Sequence, residues 1–96
     1  MKKIIYFNGR FLTQPKTGVQ RYAEEILNAL DKLISGEEYT DYQFICLIPN
    51  NPISPLPNWL NIQVKACGRL GGNLWEQIDL PFYSRDGVLV DLCNIG

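Results

Sequence analysis

Ninety-six residues, 46% of them hydrophobic and 20% charged, are enough for one small globular domain with one core. Nine Lys+Arg against ten Asp+Glu leave a net charge of −1, without the basic excess that marks a nucleic-acid partner. No apolar run approaches the ~18 residues that cross a bilayer, and the apolar stretch in MKKIIYFNGRFL is too short for a secretory signal, so the chain reads as cytoplasmic.

Lys3–Phe7 (KIIYF) opens the chain as a strand, rich in β-formers and too short for a helix. A helix follows. Val19, Tyr22, Ala23, Ile26, Leu27, Leu30, Leu33 and Ile34 recur at helical spacing, and Glu24, Glu25, Asn28, Asp31 and Lys32 take the opposite face. Ser35-Gly36 is expected to end it, with glycine in the left-handed terminal position. Tyr42–Ile48 (YQFICLI) is a second strand, apolar enough to be buried on both faces of a parallel sheet. The loop PNNPISPLPNW comes next, its pre-proline residues biased away from helix. Ile62–Ala66 alternates as a strand near a sheet edge.

Asn73–Tyr83 is expected to form a second helix with Leu74, Trp75, Ile78 and Phe82 on one face. Asn73 and Glu76 are spaced for a capping box, and Pro81 is expected to kink or end the helix. Val88–Leu92 closes the series as a strand of central character. The order β-α-β-β-α-β predicts an α/β fold, a Rossmann-like, mainly parallel sheet with flanking helices. An antiparallel α+β sandwich is the alternative.

Cys46, Cys67 and Cys93 are widely spaced and the chain has no histidine. A zinc site needs about four nitrogen or sulfur ligands, so no metal site is expected. Without histidine, Ser-His-Asp and Cys-His catalysis are excluded, and no catalytic residue is assigned. Cys46 and Cys93 sit in apolar runs where a thiol acts as a small hydrophobe.

In an open parallel sheet, ligands bind beyond the carboxyl ends of the strands. Here those ends carry Asn8-Gly9-Arg10, Pro49-Asn50-Asn51, Gly68-Arg69-Leu70-Gly71-Gly72 and Asn94-Ile95-Gly96. Arg10 and Arg69 would bring planar guanidinium donors, suited to phosphate or carboxylate, to a shared crevice. Asparagine, glycine and arginine also serve ordinary turns and solvated surfaces, and both readings stand at this point. Thr17 is a good N-cap with Gln20 three residues on, and Gly18 leaves the first turn bare. Free N–H groups and the helix dipole make such a start an anion-binding position. Neither the dinucleotide fingerprint nor the P-loop motif is present.

The segments FNGRFLTQPKTGVQRYAEEILNAL, GGNLWEQIDLP and LVDLCNIG resemble the amino-terminal domain of family 4 glycosyltransferases of the GT-B fold. The likeness covers essentially the whole chain, with G-V-Q-R-Y and L-W-E-Q its most specific parts. It implies a retaining, nucleotide-sugar-dependent enzyme, often one of cell-surface polysaccharide assembly, built from two Rossmann-like domains facing a cleft. No cofactor is implied. The amino-terminal domain mainly binds a glycan or lipid-linked acceptor, and the carboxyl-terminal one holds the nucleotide-sugar.

The resemblance implies that Thr17 and Gly18 approach the donor diphosphate. It implies that Asn8, Gly9 and Arg10 line the acceptor side of the cleft, with Asn94 on a loop that also faces it; Arg69 is joined to them on the rim argument alone. The second domain's paired glutamates and basic residues do not occur in these 96 residues. Residues 1–96 therefore read as an incomplete amino-terminal domain, inactive alone and marginally stable, working in the cytoplasm or peripherally at the inner face of the membrane. The competing reading is a stand-alone α/β interaction or regulatory module, with Trp59 in its proline-rich loop as the anchor.

Overall fold

A computed structural model of the chain describes residues 3–15, 17–34, 41–50 and 56–92. Strands β1 (Lys3–Asn8), β2 (Tyr42–Ile48), β3 (Ile62–Ala66) and β4 (Val88–Val90) form one sheet in the order β3-β2-β1-β4. Every pairing is parallel: Ile5 opposes Phe44 and Val88, and Phe44 opposes Ile62. The fold is α/β, and the antiparallel sandwich is ruled out.

Helix α1 (Gly18–Leu33) connects β1 to β2, and a helical segment over 72–83 connects β3 to β4. Alternation along the strands sends successive side chains to opposite faces. Phe7, Cys46, Ile48 and Ile62 pack under α1 with Phe11, Leu12, Ala23, Leu27 and Ile34. Tyr6, Ile45 and Leu47 pack on the other face against Cys67, Trp75 and Leu80. Strand order therefore reverses between β1 and β4, the place where an open α/β sheet leaves a crevice at its carboxyl edge.

The buried stripe of α1 is rotated from the expected one. Ala23, Leu27 and Asp31 are buried, whereas Val19, Tyr22 and Leu33 are half exposed or more. Asp31, expected on the solvent face, turns inward because it has backbone partners. Its carboxylate accepts the N–H groups of Leu60 (3.1 Å), Asn61 (2.7 Å) and Ile62 (3.0 Å), tying the helix to the start of β3. Trp59 folds against the same core and donates its indole N–H to Asn28 at 2.6 Å.

The second helical segment also departs from a simple α-helix. It runs as α2 (Gly72–Leu74), a π turn (Trp75–Asp79) and α3 (Leu80–Tyr83). Pro81 neither ends nor breaks it. The wider turn, closed by Leu80 N–H to the Trp75 carbonyl, comes just before the proline, where the missing N–H and the ring would disturb an α-helix. A five-residue turn puts positions five apart on one face, so Trp75 and Leu80 are buried together while Leu74, Ile78 and Phe82 are each more than half exposed. Trp75 donates its indole N–H to the Cys67 carbonyl at 2.9 Å. No side chain caps this segment, whose N-cap is Gly71, so Asn73 and Glu76 are not a capping box.

Among the described residues β4 pairs only with β1 and is an outer strand. Val88 and Leu89 are exposed, so the apolar run reflects strand propensity and the packing of Val90 rather than a central place. The Gly36 helix end, Cys93, Asn94 and Gly96 lie outside the described residues.

Candidate functional site

Asn8, the last residue of β1, is buried on the face that carries the second helical segment. Its side-chain oxygen accepts the Arg10 N–H at 3.1 Å, an asparagine turn that redirects the chain into the short 3-10 helix Arg10–Thr13. Gly9 makes that redirection fit. Its N–H donates to the Leu47 carbonyl at 2.7 Å. A Cβ there would stand 2.6 Å from both Cys46 Sγ and the Leu47 oxygen.

The Asn8 side-chain NH2 donates to Glu76 Oε2 at 2.8 Å and to Asp91 Oδ2 at 3.2 Å. Arg10 Nη1 donates to Asn73 Oδ1 at 3.0 Å and forms an ion pair with Glu76 Oε1. Three chain segments, the ends of β1 and β4 and the helical segment, are thus joined through one carboxamide and two carboxylates. At the start of α1, Thr17 donates its N–H to Gln20 Oε1 at 3.2 Å and its hydroxyl to the same oxygen. Gln20 then donates to Gln14 Oε1 at 3.1 Å.

These groups surround a cavity of about 510 Å³ at the β1–β4 crevice. Asn8 comes from the end of β1 and Asp91 from the position just after β4, and the 3-10 helix contributes Arg10 and Phe11. The start of α1 adds Thr17, Val19 and Gln20, and the helical segment adds Asn73, Glu76 and Gln77. Amides and carboxylates dominate, with Phe11 and Val19 as an apolar wall. Paired donors and acceptors of this kind match hydroxyl groups.

Of the residues singled out from sequence, Asn8, Arg10 and Thr17 meet around the cavity. Gly18 stands next to it with nothing within 4 Å of where a Cβ would be. Gly9 lies beneath, filling the β1–β2 contact rather than the wall. Arg69 is exposed on the loop after β3 and does not line the cavity. Its N–H and that of Leu70 donate to Asp79 Oδ2 at 3.0 and 2.9 Å. This clamp seats the loop after Gly68, whose φ of +81° suits glycine. Asn94 lies outside the described residues.

Asn73, Glu76, Gln77 and Asp91 are among the lining residues that the sequence reading did not single out as site residues. The strand order carries the signal for Asp91, the first polar residue after β4 beside the switch point. For Asn73 and Glu76 the capping-box spacing pointed to the wrong partner.

The titratable groups with altered pKa lie away from the cavity. Burial, and then the 2.6 Å hydrogen bond to Asp86, push the Tyr6 phenol up to about 12. Burial pushes the Cys46 thiol up to about 12, and burial with the nearby Asp79 charge raises Cys67. Both thiols are buried and unpaired with each other, so they serve as core atoms. Among the described residues no three His, Cys, Asp or Glu side chains gather to hold a metal ion, and no helix is long and apolar enough to cross a membrane. No known protein family, curated protein or solved structure matches this chain.

Proposed function

We propose that this chain forms the acceptor-side part of a nucleotide-sugar-dependent glycosyltransferase, the retaining GT-B type of family 4 that its segments resemble. The observation that carries the reading is the cavity at the β1–β4 crevice, rich in amides and carboxylates and lying beside the exposed first turn of α1. In this reading Asn8 and Arg10 orient acceptor hydroxyl groups. Thr17 and Gly18 offer their helix-start N–H groups to the donor diphosphate held by a second domain. Gly9 lets the asparagine turn form under them. Stabilisation of the departing diphosphate, the largest catalytic contribution to such a transfer, belongs to groups outside these residues, so the segment alone transfers little. The work would be done in the cytoplasm or at the inner face of the membrane.

A non-catalytic interaction or regulatory module is the second reading. Trp59 gives it little support, being held by Asn28 and the core. The exposed apolar residues Leu74, Ile78 and Phe82 favour it instead.

Backbone amide NMR of the 96-residue chain separates the two. Methyl glycosides are expected to shift the amides of Asn8, Arg10 and Asn73, and uridine diphosphate those of Thr17 and Gly18. Silence at both sets up to the solubility limit, with signals moving only around Leu74–Phe82 as concentration rises, would overturn the transferase reading.

A further inference from the structure

The cavity holds a charge arrangement that ligand size and shape do not explain. Its lining has one cation among the described residues, Arg10, and two carboxylates, Glu76 and Asp91. Arg10 is paired: one guanidinium nitrogen, Nη1, meets both Glu76 Oε1 and Asn73 Oδ1, which sets the charge of Arg10 against that of Glu76. Glu76 is held from its other oxygen by Asn8, so its position does not depend on Arg10 alone. Asn8 also reaches Asp91, bringing the second carboxylate to the same wall.

An incoming phosphate would meet a guanidinium whose charge Glu76 already offsets, with the Asp91 carboxylate on the same wall. An arginine without a carboxylate partner is a strong phosphate ligand; one whose charge a carboxylate offsets attracts phosphate less. Uncharged hydroxyl groups meet no such penalty. They can donate to Asp91 and Glu76 and accept from the amides of Gln14 and Asn73 without displacing the ion pair.

We propose that Glu76 sets the charge of the ligand this cavity takes: by offsetting the charge of Arg10 it turns phosphate away and leaves a site for an uncharged, hydroxyl-rich ligand. The identity of that ligand as an acceptor sugar rests on the function proposed above; the charge selection does not. Glu76 acts here as a specificity-determining residue, and the donor diphosphate is confined to the helix start outside the cavity.

The test is an amide NMR titration with sodium pyrophosphate at constant ionic strength, reading Asn8, Arg10 and Asn73 for the cavity and Gly18 for the helix start. In the unaltered chain the cavity amides stay unmoved. In Glu76→Gln pyrophosphate is expected to enter with an affinity gain of about tenfold or more, and Glu76→Gln with Arg10→Gln loses that gain. Should Glu76→Gln fail to fold, Glu76→Asp, which retracts the carboxylate by one methylene, is expected to show a smaller gain at the same amides. Equal pyrophosphate binding at the cavity amides with and without Glu76, or no gain in either variant, overturns the proposal. If pyrophosphate behaves as expected while methyl glycosides leave the cavity unmoved, the acceptor reading fails and the charge selection stands.

Discussion

Asp31 offers the sharpest test of how the scaffold is held. Replacing it with alanine removes acceptors from three consecutive N–H groups at the entry to β3. Leu60 and Asn61 are exposed, so water can replace the carboxylate there at about 0.5–1 kcal/mol each. Ile62 is 2% exposed, and its N–H would be left without a partner at a cost of about 2 kcal/mol. The sum is about 3 kcal/mol, a large share of the roughly 5–10 kcal/mol that a domain of this size holds. At about 4–8 °C per kcal/mol this lowers Tm by roughly 12–24 °C. Asp31→Asn keeps one oxygen for Asn61 and Ile62 and loses mainly the charge, about 1–1.5 kcal/mol. Circular-dichroism melts of the three proteins provide the comparison. An Asp31→Ala Tm within about 3 °C of the parent, or one above Asp31→Asn, would refute the reasoning that a buried carboxylate sets the start of β3.

Gly9→Ala is expected to cost about 2 kcal/mol in urea denaturation, because the new Cβ meets Cys46 Sγ and the Leu47 carbonyl and neither sheet strand can yield cheaply. Tyr6 carries a pH signature. Its phenol is raised from 10.0 to about 12 in the folded chain, so the stability it contributes is intact below about pH 10 and is lost as pH rises to about 12. In a tyrosinate absorbance titration Tyr6 is expected to give a late component, and Tyr6→Phe removes it. Cys46 and Cys67 are expected to resist iodoacetamide in the folded chain and to react together on unfolding, as mass mapping would show, because burial disfavours both thiolates.

The sheet was legible in the sequence because its strands are short, apolar and bounded by turn residues, and the order of elements restricts their pairing. Strand rank was harder to read. Val88–Leu92 looks central by composition, yet an outer strand with apolar side chains has the same composition. Periodicity located α1 but not its rotation, since Asp31 counts as polar until the three N–H groups at β3 are known to meet it. The second helix shows a related limit. A 3.6-residue period groups Trp75 with Leu74, Ile78 and Phe82, whereas the π turn regroups it with Leu80 and leaves the others outside. Asn8, Arg10 and Thr17 followed from strand ends and a helix start. Asn73, Glu76, Gln77 and Asp91 depend on which strand and which crossover helix border the β1–β4 crevice, and only strand order decides that.

The central claim, that the crevice between β1 and β4 receives a sugar, is most directly tested by intermolecular nuclear Overhauser effects between a methyl glycoside and the chain. Phe11 and Val19 form the apolar wall of the cavity, so magnetisation is expected to pass from the sugar ring protons to the Phe11 ring and the Val19 methyl groups. Contacts confined to the exposed side chains of Leu74, Ile78 and Phe82, with none at the wall, would contradict it.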